Sequence, residues 1–114
     1  MIRNGAVQIV QPDVHYYGGY IRATRVARMA AAAGLPITLH ISGGGTGFAD
    51  MANFFSFTPN MGRFQELKTG VDVTGPFFHP PVSVKDGFVN IPTGPGMGLV
   101  NDEELLKDAR PLRG

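Results

Sequence analysis

The chain has 114 residues, 43% of them hydrophobic and 17% charged, and a formal net charge of +1. This balance is typical of a soluble globular chain: it argues against a nucleic-acid partner, which needs a clustered basic face, and against a membrane span, which needs roughly 20 consecutive apolar residues. The lack of cysteine excludes disulfides, thiol nucleophiles and cysteine zinc sites, and we expect a cytoplasmic protein.

The first predicted elements are a strand and a helix. Ala6 to Val10 is an apolar run that Gln11-Pro12-Asp13 stops, which indicates a buried strand. A helix of about 14 residues follows the break at Gly18-Gly19 and ends at Gly34 and Pro36. Its apolar stripe is predicted to consist of Ile21, Ala23, Val26, Ala27 and Ala30. Its exposed outer face is predicted to carry Arg22, Arg25 and Arg28.

Two more strands and a second helix complete the pattern. The second strand is predicted from Ile37 to Leu39 and closes on His40. A second helix, roughly Ala49 to Phe57, follows a glycine-rich turn, and a short third strand near Arg63 to Gln65 precedes Glu66. The order is βαβαβ, which is the repeat unit of parallel α/β folds.

The sequence changes in character from about Val71, where proline and glycine become frequent. Asp86-Gly87 lies between the extended runs 81–85 and 88–91 and predicts a β-hairpin. Asn101 is a candidate N-cap for a short closing helix, Asp102 to Lys107. We therefore predict an α/β part in residues 1–70 and a small irregular extended and hairpin cap in residues 71–114.

Proton-handling side chains follow all three predicted strands. Asp13 and His40 end the first two, and the carboxyl ends of parallel strands meet at one rim. A carboxylate that orients a histidine selects its tautomer and raises its basicity, as in histidines that transfer protons. Glu66 should emerge at the same rim. The alternatives are ordinary loop polarity for the pair and an exposed strand-end charge for Glu66.

The sequence favours neither a nucleotide loop nor a metal motif. The cluster from Gly43 to Gly47 lacks the Gly-Lys-Ser/Thr ending of a P-loop and has Phe48 where a dinucleotide fingerprint needs glycine, so a flexible turn or a loop near a substrate carboxylate is preferred. His15, His40 and His79 lack the spacing of a motif such as HExxH, and His79, beside two prolines, is interpreted as a loop residue. We predict no metal ligands within this chain.

The run QPDVHYYGGYIRATRVARMAAAAGLPITLH resembles the barrel segment of the enolase superfamily, specifically its mandelate racemase subgroup. In that subgroup an Asp ending the sixth strand supports a His ending the seventh, and Gln65-Glu66 resembles an eighth-strand position that often carries Glu. VSVKDGFVNIPTGPGMGLVNDEEL resembles the C-terminal piece that returns to the capping domain. The resemblance implies strands 6–8 of a TIM-type (β/α) barrel in residues 1–70, and the return segment in residues 71–114.

The resemblance also implies a chemistry. His40 would be a general acid/base, Asp13 its orienting partner, and Glu66 a general acid or an electrostatic partner of a small carboxylate substrate. The reaction class is abstraction of the proton α to a carboxylate, giving an enediolate stabilised by Mg²⁺. Dehydration of a sugar acid is the favoured outcome, and racemisation or epimerisation is the close relative. The candidate substrate neighbours are Tyr16, Tyr17, Ser42 and Gly43.

Part of the subgroup's machinery has no counterpart in this sequence. A capping domain, a strand-two Lys base and carboxylate metal ligands on strands three to five would all lie before Met1, and the remaining acids are scattered. We therefore expect negligible activity from the chain alone. Its open strand edges should require the missing half of the barrel or a second copy. A non-catalytic α/β remnant or assembly module is the alternative of another class.

Overall fold

The computed structural model describes residues 1–41, 46–67, 78–79, 84–101, 103–107 and 109–111. Within these ranges a 3-10 turn, Ile2–Asn4, precedes three α-helices: α1 (Gly19–Ala32), α2 (Thr46–Phe57) and α3 (Glu103–Lys107). Four two-residue strands follow α2: β1 (Phe78–His79), β2 (Val84–Lys85), β3 (Phe88–Val89) and β4 (Val100–Asn101). No helix in the described residues has the length and apolarity needed to cross a membrane.

Helix α1 confirms the helix predicted after Gly18-Gly19, and its 14 residues have the expected length. At its end the Leu35 N–H donates to the Ala30 carbonyl and the Gly34 N–H donates to the Ala31 carbonyl, both at 2.9 Å. These are the two bonds of a Schellman cap, in which Gly34 adopts the left-handed conformation with φ 68°. The glycine therefore ends the helix as predicted.

Small side chains form the buried side of α1. Ala23, Ala27 and Ala30 are buried, and their spacing of four and three residues places them on one face. The inclusion of Ile21 in this stripe is wrong, since its side chain is 73% exposed. Two residues from Ala23 correspond to about 200° around the helix, which turns Ile21 away from the core. The three arginines of α1 are exposed, as predicted.

The predicted parallel strands are reduced to single bridged residues, whose hydrogen bonds form a short parallel ladder. The buried strand predicted from Ala6 to Val10 is wrong except at Val10, since the chain bends at residues 8 and 9 and Ile9 is 56% exposed. Val10 bridges Ile37, and Ile37 bridges Met61, both in parallel, so the second segment is central. The Val10 N–H donates to the Pro36 carbonyl at 3.1 Å, and the Thr38 N–H donates to the Val10 carbonyl at 3.0 Å. The helices α1 and α2 connect these segments, which is the predicted βαβαβ order.

The third segment of the ladder ends earlier than predicted. The Gly62 N–H donates to the Ile37 carbonyl at 2.7 Å, and a Cβ on Gly62 would lie only 3.1 Å from that carbonyl oxygen. The chain then bends at residues 63 and 64. The strand predicted near Arg63 to Gln65 is therefore wrong, because the parallel pairing occurs at Met61 and Gly62, where glycine permits a close approach.

The core lies between the ladder and the helices. Helix α2 begins at Thr46, three residues before the predicted start near Ala49, and supplies several large core side chains. The central segment contributes Ile37, Leu39 and Ile41, all at most 2% exposed. The core cluster of the described residues consists of Val14, Ala23, Ala27, Ala30, Ile37, Leu39, Ile41, Phe48, Met51, Ala52 and Phe54.

The hairpin predicted around Asp86-Gly87 is confirmed. Strands β2 and β3 pair antiparallel, with Val84 opposite Val89. Asp86 has φ 52° and Gly87 has φ 80°. Two successive left-handed residues are the requirement of a type I′ hairpin turn, which Asp-Gly favours.

The remaining two strands of the tail, which precede and follow the hairpin in the chain, pair with each other. Strands β1 and β4 are antiparallel, and His79 lies opposite Val100. The interpretation of His79 as a loop residue is therefore wrong, since its backbone belongs to a strand despite the neighbouring prolines. Helix α3 begins at Glu103, within the predicted closing helix; Asp102 lies outside the described residues.

Candidate acid/base site

The structure brings Asp13 and His40 into direct contact. His40 Nδ1 lies 2.8 Å from Asp13 Oδ2. The parallel ladder sets this register, because the His40 N–H donates to the Pro12 carbonyl at 3.0 Å. The Asp13 side chain is 11% exposed, whereas the imidazole is 47% exposed. The pair is therefore enclosed on the carboxylate side and open on the imidazole side.

The hydrogen bonds of Asp13 determine which nitrogen of His40 is available. An ionised carboxylate only accepts hydrogen bonds, so Nδ1 carries the hydrogen and Nε2 of the neutral ring is left as the acceptor. Asp13 Oδ1 accepts the backbone N–H groups of His15 at 2.7 Å and Tyr16 at 2.8 Å. These donors hold the carboxylate in one orientation. His40 Nε2 can then accept or deliver a proton on the exposed side.

The Glu66 carboxylate is anchored by two hydrogen-bond donors. Its Oε2 accepts the side-chain amide N–H of Gln11 at 3.0 Å and the backbone N–H of Ile41 at 3.2 Å. In the same way, Gln65 Oε1 accepts the Leu39 N–H at 3.1 Å. The side chains of Gln65 and Glu66 thus accept hydrogen bonds from the segment that contains Ile37 to Ile41. The backbone of a longer third strand would accept these bonds instead. Glu66 is joined to residues that neighbour Asp13 and His40 in the chain.

The candidate site residues face different cavities. An open cavity of about 370 Å³ adjoins Asp13 and is also lined by Tyr16. A separate and mainly apolar cavity of about 260 Å³ is lined by Glu66. Tyr16 therefore lines the cavity beside Asp13 and bonds Asp13 through its backbone N–H, whereas Glu66 lines a separate cavity. Ser42 and Gly43 lie outside the described residues.

A second histidine and carboxylate pair, which the sequence did not reveal, lies beside the first. His15 Nε2 is 3.1 Å from Asp50 Oδ2. The Tyr20 hydroxyl donates to the Asp50 backbone carbonyl at 2.8 Å and lies 3.4 Å from its Oδ1. Burial, together with the charge and hydrogen bond of Asp50, raises the pKa of Tyr20 to about 12. No motif spacing signals this cluster, because only the packing of α2 against the turn before α1 forms it.

The described residues do not fit the magnesium ion that the resemblance implies. They contain no group of three or more histidine or acidic side chains able to hold a metal. Asp13 Oδ1 and Glu66 Oε2 are each engaged by two N–H donors. Magnesium requires a near-octahedral set of oxygen ligands, which this part of the chain does not supply.

Comparison with known proteins relates the chain to one family. A family model described as "Enolase C-terminal domain-like" matches residues 1–105. A D-galactarolactone cycloisomerase from Agrobacterium fabrum is 30% identical over 114 residues, which cover 93% of this chain and 30% of that protein. An N-succinylamino acid racemase from Amycolatopsis sp is 32% identical over 112 residues, covering 94% of this chain and 29% of that protein.

The structural comparison agrees with the family model. A crystal structure of a member of the enolase superfamily from a Polaromonas species superposes with a TM-score of 0.73 and 32% identity, covering 100% of this chain and 30% of that one. Two further matched relatives are named D-gluconate dehydratase and arabinonate dehydratase. The chain spans less than a third of the length of the curated relatives that it matches.

Proposed function

We propose that this chain, which belongs to the enolase C-terminal domain-like family, carries the acid/base residues of an enzyme that abstracts the proton α to the carboxylate of a sugar acid. One observation carries the proposal: His40 Nδ1 lies 2.8 Å from Asp13 Oδ2, on an imidazole that is 47% exposed. In this proposal His40 is the general acid/base and Asp13 is its orienting partner.

The proposed role of His40 is to move one proton at Nε2. Acting as a base, Nε2 takes the substrate proton and the C–H electron pair stays on the carbon beside the carboxylate. The ring is then an imidazolium, which Asp13 stabilises through the hydrogen bond at Nδ1. Acting as an acid, the protonated Nε2 delivers its proton to a departing hydroxyl, which leaves as water.

Dehydration is the favoured outcome, and racemisation is the second candidate. Both begin with removal of the α proton; they differ in whether a β-hydroxyl then departs or a proton returns to the opposite face. Relatives named as sugar-acid dehydratases support the first, and the relative named as a racemase supports the second. Glu66 is proposed as a general acid or electrostatic partner, and Tyr16, Ser42 and Gly43 as substrate neighbours.

The proposed architecture is part of a larger barrel. Residues 1–70 would form strands 6–8 of a TIM-type (β/α) barrel, and residues 71–114 the return to a capping domain. The parallel order of the segments at Val10, Ile37 and Met61 supports this arrangement. Magnesium ligands would then come from outside the described residues. The partner would be the missing barrel half or a second copy of this chain.

Association of the 114-residue chain tests this architecture. Unpaired edges of a partial sheet attract other strands, so size-exclusion chromatography should find the chain in dimers or larger assemblies. A monomer that melts cooperatively with high stability would contradict the partial-barrel proposal.

Proton exchange tests the chemistry. Residues 1–114 would replace the matching segment of the Agrobacterium fabrum cycloisomerase, and the chimera would be incubated in D₂O with Mg²⁺ and a panel of sugar acids. Loss of the α-proton signal by NMR reports proton abstraction, whether water loss or inversion follows. We expect exchange with at least one sugar acid, and none above background from the 114-residue chain alone. A folded chimera without exchange would favour a non-catalytic module.

His40→Asn is the decisive variant in that chimera. The amide keeps polarity and similar size but cannot carry a proton, so exchange should fall by roughly 10²- to 10⁴-fold. Ser56→Ala is the matched control, since Ser56 is exposed on α2 and its hydroxyl donates locally to the Asn53 carbonyl. Exchange by His40→Asn at the parent rate would remove His40 from the mechanism.

A further inference from the structure

The turn that holds Asp13 has little regular structure of its own. Tyr16 is 82% exposed, and Gly18 and Gly19 have φ values of 95° and 81°. The buried side chain of Val14 and the Gly19 N–H, which donates to the Val14 carbonyl at 2.8 Å, fix one side of the turn. Yet this same turn supplies both backbone donors to Asp13 Oδ1, so its position determines the orientation of the carboxylate.

His15 ties this turn to helix α2. Its Nε2 lies 3.1 Å from Asp50 Oδ2. Its ring also lies against the first turn of α2, where a Cβ on Gly47 would be 3.1 Å from His15 Cε1. A larger residue at position 47 would push the ring away from the helix. Alanine at this position would require the imidazole to move by a few tenths of an ångström relative to the helix.

Asp50 is itself held from a third direction. Tyr20, in the first turn of α1, donates its hydroxyl to the Asp50 carbonyl at 2.8 Å. His15, Tyr20 and Asp50 surround an open cavity of about 290 Å³. Asp50, on α2, therefore bonds α1 through its backbone carbonyl and the turn before α1 through its side chain.

We propose that His15 is a positioning residue for the Asp13 and His40 pair. Its imidazole is held by Asp50, and its backbone N–H donates to Asp13 Oδ1 at 2.7 Å. The other oxygen of Asp13 holds His40 Nδ1. Helix α2 thus fixes the Asp13 carboxylate through one residue, His15. The backbone N–H of His15 bonds the carboxylate, and the His15 side chain bonds Asp50 on the helix.

The inference rests on the proposed function only for its effect on catalysis; the effect on the His40 ring is independent of turnover. Because each histidine bonds a carboxylate, His40 carries its hydrogen on Nδ1 and His15 carries its hydrogen on Nε2. The chain has three histidines. Nitrogen-15 NMR distinguishes the two neutral tautomers, so the ring that loses its preference can be identified.

The experiment uses His15→Ala and Asp50→Ala, which break the same link from opposite ends. In the 114-residue chain, either variant should shift His40 from a single Nδ1–H tautomer to a mixture. In the chimera, either should lower the maximal exchange rate by roughly 10- to 100-fold, in line with outer residues that orient a catalytic group, and leave KM within about twofold. The exchange rate of the double variant should fall no further than that of each single variant, because all three break the same His15–Asp50 contact.

Two conservative variants separate positioning from loss of folding. The side-chain amide of His15→Gln can still donate to Asp50, so it should restore the parent tautomer and rate. Gly47→Ala keeps every polar group but displaces the ring, and should have an intermediate effect. Ser56→Ala, at the other end of α2, should match the parent.

The outcomes distinguish this inference from the proposed function. Absence of exchange in the parent chimera would remove the proposed function, while the His40 tautomer would still decide the role of His15. A single Nδ1–H tautomer retained in both His15→Ala and Asp50→Ala would overturn the inference. So would a double variant whose loss is the sum of the two single losses, since that indicates independent structural effects.

Discussion

The parallel ladder with helices α1 and α2, which lies before residue 63, differs sharply in burial from the tail that follows it. All the side chains of the described core cluster precede residue 62. Among the described residues of the tail, the partly buried Val89, Ile91 and Leu99 pack against this core, while Phe88, at the hairpin, is 76% exposed. Both regions contain well-formed local structure, so the difference lies in burial.

This contrast teaches where the stability of the site originates. Asp13 and His40 are attached to the ladder, and the helices that pack on it also carry the residues that hold the turn at Asp13. The Asp-Gly hairpin is specified by local turn chemistry, but a two-stranded hairpin is at best marginally stable without a packed face. The tail should therefore unfold more readily than the part that holds the site.

The largest test of the contrast compares two phenylalanines. Phe54 is fully buried on α2, and the centroid of its ring lies 5.0 Å from the centroid of the Phe57 ring. Phe54→Ala should destabilise the chain by about 3 to 5 kcal/mol, whereas Phe88→Ala should change stability by less than about 0.5 kcal/mol. Urea unfolding at fixed protein concentration, followed by circular dichroism, measures both. Equal effects would mean that the tail shares the core; Phe54→Leu serves if the alanine variant does not fold.

Two glycines with similar backbone angles provide the next test. Gly34 caps α1 with φ 68°, and Gly87 forms the hairpin turn with φ 80°. Alanine costs roughly 1 to 2 kcal/mol in the left-handed region. We expect Gly34→Ala to lower the free energy of unfolding in the main transition by this amount, and Gly34→Asn to lower it by less. Gly87→Ala should instead raise the rate of amide hydrogen exchange in the hairpin alone. A loss of main-transition stability in Gly87→Ala would show that the two regions unfold together.

The smallest effect concerns pH and the junction of α1 with α2. Between pH 10 and about 12 the folded chain keeps the Tyr20 proton, which the unfolded chain releases. This contribution to stability is complete below pH 10 and is lost as the pH rises through 12. Urea midpoints should fall over this interval more in the parent than in Tyr20→Phe, which cannot ionise. Parallel declines would mean that neither burial nor Asp50 raises the pKa of Tyr20 in the folded chain.

Sequence patterns predicted the parts of the fold that depend on neighbouring residues. The helix after Gly18-Gly19, its end at Gly34 and the hairpin at Asp86-Gly87 are each specified by a local backbone requirement. The third strand, predicted near Arg63 to Gln65, is misplaced, because no local pattern reveals that the chain turns away after Gly62. The side-chain oxygens of Gln65 and Glu66 accept the N–H groups of Leu39 and Ile41, which the backbone carbonyls of a longer third strand would otherwise accept. No strand pattern predicts this replacement.

The sequence by itself determined that a carboxylate and an imidazole end neighbouring parallel segments, since strand order and a right-handed crossover bring such ends to one rim. The tertiary structure decided the rest of the site. It set which oxygen of Asp13 bonds His40, directed Glu66 towards Gln11 and Ile41, and brought Asp50 to His15. These contacts join residues far apart in the chain, and their geometry depends on how α2 packs against the turn at Asp13, which no local pattern records.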